Sequence, residues 1–246
     1  MILITRPKEQ SKDLKLLLDA RGYKTFLESL YNIKYYKNKV TYNRDAYYIF
    51  PSINSVQSLI NSKQINKFQE AKILVIGIKV KTALKKLGCK IFIKTVEDSS
   101  ELITFLKKSK LKDSKFIYLG GNITNNDFFE KLNNNNINFE KKVIYKTIPR
   151  LRLTNRLVKK IEFYEVKAVL LYSLLATETF LKLLSEQKIK LSRSKVKFFC
   201  ISKRVATPLR NNKFKLTYIA DKPNQKAIIK SIQKNMTLWL KRTKKI

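Results

Sequence analysis

Short apolar runs rich in Ile, Val, Phe and Tyr alternate with helical patterns from one end of this chain to the other, and few folds accommodate that alternation. Ile2-Leu3-Ile4 is followed by Leu14, Leu17 and Leu18 at helical spacing, and Gly22 stops the helix before an extended segment from Tyr23 to Leu27. Tyr47-Tyr48-Ile49-Phe50 leads through Ser52 into a helix carrying Val56, Leu59 and Ile60. Ile73-Leu74-Val75-Ile76 leads through Gly77 into one carrying Val80, Ala83, Leu84 and Leu87, stopped by Gly88. Ile91-Phe92-Ile93 precedes Ser99 and Ser100, the expected caps of a helix bearing Leu102, Ile103, Phe105 and Leu106. Phe116-Ile117-Tyr118-Leu119 meets Gly120-Gly121-Asn122 and another helix.

The second half repeats the theme. Ala168 to Tyr172 ends at Ser173 before a helix through Phe180 and Leu184. Val196 to Ile201 is followed by a helix through Val205 and Leu209, and Leu216 to Ile219 by a closing helix with Ala227, Ile228, Ile229 and Ile232. Strands alternating with helices imply parallel sheets covered on both faces, because a parallel connection needs a crossover. An internal repeat is also visible. Tyr48 to Val56 matches Val169 to Thr177 in pattern, and Ile76 to Leu84 matches Ile201 to Leu209, at nearly the same offset. The chain therefore predicts two related α/β domains, each a parallel sheet flanked by helices, which 246 residues can supply.

Composition removes several classes of function. There is no histidine, which takes away the commonest general base and metal ligand together, so metal hydrolases and Ser/His/Asp hydrolases are not expected, and no metal site is expected. Cys89 and Cys200 stand far apart and read as buried thiols of a reducing compartment. No apolar run approaches the roughly 20 residues that span a bilayer, and Met1 to Thr5 is too short for a signal segment, so a cytoplasmic protein without a membrane partner is expected. No strand is followed by G-x-G-x-x-G or a P-loop lysine motif, which disfavours dinucleotide and nucleotide cofactors. The 53 Lys+Arg against 18 Asp+Glu give a formal charge of +35. The excess is spread over the whole chain, mostly as Lys, so it attracts anions in general without marking a nucleic-acid groove.

Taken in order, these elements resemble the uroporphyrinogen-III synthase family along nearly the whole chain. The resemblance is carried by Ile2-Leu3-Ile4-Thr5-Arg6-Pro7 with Arg21-Gly22, by Phe50-Pro51-Ser52-Ile53-Asn54-Ser55-Val56, and by Val75-Ile76-Gly77 with Thr82-Ala83-Leu84 and Leu87-Gly88. Gly120-Gly121-Asn122, Val143-Ile144-Tyr145-Lys146-Thr147, Ser173 and the stretch Ile201 to Leu209 complete it. The resemblance implies a discontinuous domain 1 (residues 1–34 and 150–246), a domain 2 (39–143), and two connecting ladder strands (35–38 and 144–149, within Tyr31 to Asn38 and Val143 to Arg150), with the active site in the interdomain cleft. Two departures stand out: Val80 and Val205 occupy places where the family commonly has Thr, and Ser202 one where Gly is common. Thr82 and Thr207, two residues further on, are the candidates to compensate.

The implied reaction is the cyclisation of hydroxymethylbilane, a linear tetrapyrrole with eight carboxylates, to uroporphyrinogen III. Water is lost and the terminal ring inverts, through an azafulvene cation and a spiro intermediate. Such a substrate is intrinsically reactive, so the protein's task is to hold one folded conformer, with no cofactor. Tyr145 is the implied catalytic residue, hydrogen-bonding the leaving hydroxyl. Helix N-termini at the carboxyl edge of parallel strands offer amide donors to the carboxylates. This selects the turns holding Ser52 and Asn54, Lys79 and Val80, Gly121 and Asn122, Ser173, and Lys203, Arg204 and Val205, with Arg6 at the end of the first strand. Ser52 and Ser173 are expected to cap their helices as well. Lys79, Lys203 and Arg204 are candidates for direct ion pairs. A monomer is implied, and its substrate could come directly from the preceding pathway enzyme. Two rivals remain: a non-catalytic anion- or nucleic-acid-binding module, and a degenerate relative that kept the fold without turnover.

Overall fold

The computed structural model describes residues 1–37, 40–124 and 126–243. Asn38, at the end of the first expected connector, lies outside the described residues. The chain forms two compact units: Met1–Asn32 with Pro149–Ile246, and Ile33–Ile148.

In the first unit, β1 (Ile2–Ile4), β2 (Thr25–Leu27), β9 (Ala168–Leu171), β10 (Lys197–Cys200) and β11 (Thr217–Ile219) form one sheet in the order β11-β10-β9-β1-β2. All its pairings are parallel. In the second unit, β3 (Tyr31–Tyr35), β4 (Tyr47–Phe50), β5 (Lys72–Ile76), β6 (Phe92–Val96), β7 (Phe116–Gly121) and β8 (Phe139–Pro149) run in the order β3-β8-β7-β4-β5-β6. The pairings among β4 to β8 are parallel. The central strands are apolar throughout because helices cover both faces: β9 is Ala-Val-Leu-Leu and wholly buried. Each sheet has one core on each face.

The two strand orders match, apart from the extra edge strand β3 of the second sheet. From β4 the chain moves outward to β5 and β6, then returns past β4 to lay down β7 and β8 on the other side. In the first unit β9, β10 and β11 make the outward arm, and the N-terminal β1 and β2 supply the opposite arm. The repeated segments occupy equivalent places: β4 with α2 (Ile53–Asn61) matches β9 with α7 (Leu174–Glu186), and α3 (Ile78–Lys86) matches α8 (Lys203–Asn211). Each sheet thus has one place where successive connections leave in opposite directions, between β4 and β7 and between β9 and β1. The crevice at the carboxyl ends of such a strand pair is where open α/β sheets take ligands.

Local details depart from expectation in three places. Asp98, and neither Ser99 nor Ser100, caps α4 (Ser99–Lys108), its carboxylate accepting from the Ser100 and Glu101 amides at 2.8 and 2.9 Å. Ile60 is 37% exposed while Val56 and Leu59 are buried, so the inner stripe of α2 is narrower than its apolar residues suggest. A helix unmarked in the sequence reading, α6 (Asn155–Glu162), is capped by Thr154 and buries Leu157 and Ile161 one turn apart.

Candidate active site

At the β4/β7 crevice the phenol of Tyr145 meets the hydroxyl of Ser52 at 3.1 Å. Tyr145 lies on β8, one strand beyond β7, and reaches the crevice because the intervening residue is Gly121. A Cβ there would stand 2.5 Å from the Tyr145 ring. Behind the pair, the Ser55 hydroxyl donates to the Leu119 carbonyl at 2.6 Å and the Ser58 hydroxyl to the Ile144 carbonyl, pinning α2 to both strands. The Asn122 amide donates to the Tyr145 carbonyl at 3.2 Å, and its side-chain oxygen accepts from the Thr147 amide at 2.7 Å. Asn122 therefore holds β8 against the end of β7. Burial raises the Tyr145 pKa, against the opposing pull of Ser52, the Gly121 amide and Asn54. The group is a neutral phenol, able to donate a proton, throughout the physiological range.

At the equivalent β9/β1 crevice stand Arg6, from the turn after β1, and Tyr172, from the turn after β9. The guanidinium carbon of Arg6 sits 4.4 Å from the Tyr172 ring centroid. Ser173 follows and caps α7, accepting from the Ala176 amide at 3.2 Å. Among the described residues no three acidic or thiol side chains gather into a metal-ligand group.

A family model for uroporphyrinogen-III synthase HemD matches residues 3–230. This chain belongs to the uroporphyrinogen-III synthase family. Its fold is similar to that of the uroporphyrinogen-III synthetase of Helicobacter pylori, with a TM-score of 0.63 and 17% identity over 95% of this chain and 98% of that one. It is also similar to a mutant uroporphyrinogen III synthase of the extremely thermophilic bacterium Thermus thermophilus, with a TM-score of 0.61 and 13% identity over 97% and 99%. At those identities the likeness bears on the fold. No curated protein matches the sequence at a significant level.

Against the expectations for a uroporphyrinogen-III synthase, the structure groups some of the selected residues and separates others. Ser52, Asn54, Gly121 and Tyr145 come together, with Asn122 beside them. Ser52 does not cap α2 through its side chain, since its hydroxyl is turned to Tyr145. Val80 and Val205 do not present side chains to a ligand: they are 5% and 4% exposed and belong to the cores. The helical period explains this, because each stands four residues before a buried leucine, Leu84 or Leu209, on the same face. The Val80 amide is also engaged, donating to the Gly77 carbonyl at 3.1 Å. Lys79, Lys203 and Arg204 are exposed in the first turns of α3 and α8. Thr82 and Thr207 do not replace the family threonines, for each hydroxyl donates to its own helix, to the carbonyls of Ile78 and Lys203 at 3.0 Å. Tyr172 was not selected from the sequence. The available signal was its position directly before Ser173 at the end of a strand.

Hollows among the described residues include one beside the β4/β7 crevice and one away from both crevices. The first, of about 280 Å³, is lined by Pro51, Ile76, Asp98 and Tyr118. The second, of about 370 Å³, by Tyr164, Lys167, Lys190 and Lys195, sits at the amino-terminal ends of β9 and β10.

Proposed function

We propose that this chain closes hydroxymethylbilane into uroporphyrinogen III with loss of water, as a lyase that needs no cofactor and acts as a cytoplasmic monomer in tetrapyrrole synthesis. The observation that carries the reading is the Tyr145–Ser52 contact at 3.1 Å, at the carboxyl edge of a parallel sheet where ligands bind. Two free, buried cysteines favour a reducing compartment.

In this reading the substrate's carboxylates are met by amide-bearing helix starts at the carboxyl rims, around Ser52 and Asn54, Gly121 and Asn122, Ser173, and Lys203 with Arg204, and by the cations of Arg6 and Lys79. The formal charge of +35 draws the polyacid in. Tyr145 donates its proton to the hydroxyl as the C–O bond breaks, so that water leaves and an azafulvenium cation and the Tyr145 phenolate remain. Ser52 fixes the direction of that donation. The terminal ring inverts through the spiro intermediate because the bound conformer permits that closure, and the closing carbon sheds a proton that restores the phenol.

Freshly prepared hydroxymethylbilane offered to the protein should yield the type-III isomer, resolved chromatographically from the type-I product that forms spontaneously. Tyr145→Phe is expected to lower the type-III rate by roughly 100-fold while leaving the melting temperature nearly unchanged. A wild-type protein giving only type I would reject the reading, and an unchanged rate in the variant would remove Tyr145 from the chemistry.

A further inference from the structure

We infer that Arg6 and Tyr172 form a carboxylate subsite in the first unit, in which Arg6 pairs with the anion and Tyr172 is its platform and second donor. The inference rests on the reading above, that the ligand is a polycarboxylate.

Arg6 is half-buried. The ion pairs among the described residues give it no carboxylate partner. Its polar neighbours are the Gln10 side-chain oxygen, at 3.5 Å, and the Tyr172 hydroxyl. Arg150 shows the contrast: it is also half-buried, but lies 3.7 Å from the Glu28 carboxylate. A partly desolvated guanidinium without a counter-ion is an incomplete arrangement. Tyr172 is incomplete in the complementary sense. Its hydroxyl is closed off from solvent, with the Arg6 guanidinium close to its oxygen, and its proton finds no acceptor among the described residues, whereas buried donors are nearly always paired. Burial pushes its pKa up to about 12, with Arg6 drawing it down, so the hydroxyl keeps its proton.

Both gaps are filled by one group. A carboxylate oxygen beside the guanidinium gives Arg6 a counter-ion and Tyr172 an acceptor. Position supports this, since the two residues occupy the two turns that flank the β9/β1 crevice, the counterpart of the crevice holding Ser52 and Tyr145. The frame is fixed as well. The Thr5 hydroxyl donates to the Leu170 carbonyl at 2.6 Å, tying β1 to β9, and the Ser11 hydroxyl donates to the Arg6 carbonyl at 3.3 Å. The planar guanidinium lies on the ring in a way an ammonium would not reproduce.

The test compares Arg6→Gln, Arg6→Lys, Tyr172→Phe and Tyr172→Leu with Lys107→Gln, an exposed charge on α4 that controls for net charge. Each is measured for KM and kcat on hydroxymethylbilane, for melting temperature, and for fluorescence-detected binding of uroporphyrin III, a stable octacarboxylate. Arg6→Gln should raise KM and the porphyrin Kd about tenfold with kcat changed by less than about twofold. Arg6→Lys should recover only part of that loss. Tyr172→Phe, which keeps the ring, should weaken binding roughly threefold, and Tyr172→Leu should approach Arg6→Gln. If Arg6→Gln binds the porphyrin like the wild type, or no worse than Lys107→Gln, the subsite does not exist. Should Tyr172→Leu fail to fold, Arg6→Gln and Tyr172→Phe decide the matter. The two failures are separable. A wild type that makes type III beside an indifferent Arg6→Gln sinks this inference alone. A wild type that makes only type I, yet binds porphyrin through Arg6, sinks the enzymatic reading alone.

Discussion

Cys200 and Tyr145 show how burial acts on single ionisable residues in this protein. Cys200 is fully enclosed, and burial pushes its thiol from 9.0 to about 12 against a weaker downward pull from Arg210; Cys89 rises to about 11 by burial alone. For a thiol raised in the folded state, the unfolded chain releases its proton first, near 9.0. Above that pH the unfolded state binds fewer protons, so stability falls as pH rises, by up to about 1.4 kcal/mol per unit for each thiol. Below it the contribution is fully present. The melting temperature should therefore hold to about pH 9 and then decline. Cys200→Ala, less stable at neutral pH because of its cavity, should decline less steeply just above pH 9.0, because one of the two raised thiols is gone. Parallel melting curves for the two proteins across that window would show that Cys200 does not set the slope. The burial of Cys200 was legible in the sequence, but the surroundings of Tyr145 were not. Tyr145 was singled out by family likeness, whereas its partner Ser52, in the turn after β4, and Gly121 on β7, which lets its ring reach that partner, belong to other segments of the chain.

At the scale of elements, two serines in equivalent turns do different work. Ser173 caps α7 through its side chain, while Ser52 leaves the α2 amides and turns to Tyr145. Ser173→Ala is expected to cost about 1 kcal/mol, or about 2–4 °C in melting temperature. Ser52→Ala should leave the melting temperature closer to wild type yet reduce type-III formation more. Calorimetry paired with the isomer assay checks both, and equal melting losses would mean that Ser52 stabilises α2 after all. Helix positions were readable from apolar spacing, but the direction of side chains in their first turns was not. Val80 and Val205 sit on the rim by sequence and in the core by rotation, since each shares a face with the leucine four residues on. Thr154 with Leu157 and Ile161 did carry the signal for α6, a capping residue followed by apolar positions one turn apart.

At the scale of the molecule, the two units differ in how the chain supplies them. The second is one continuous segment with cores on both faces of its sheet, whereas the first needs β1 and β2 from one end and β9 to β11 from the other. A fragment of residues 33–148 should therefore unfold cooperatively by itself. A fragment of residues 149–246 should not, because β9 would lose its β1 neighbour and expose Val169 and Leu170 at an open edge. Denaturant titrations of both fragments followed by circular dichroism test this, and a cooperative transition in the C-terminal fragment would show that β1 and β2 are dispensable. The sequence by itself determined the α/β class, the parallel sheets, the repeat and the family, because these follow from local periodicity, from composition and from the order of motifs along the chain. Only the tertiary structure decided which residues meet: Ser52 with Tyr145 across Gly121, Arg6 with Tyr172, and valines facing inward where threonines were expected. Those outcomes depend on strand order and helix rotation. Both are set by packing between segments far apart in the chain, which no local pattern encodes.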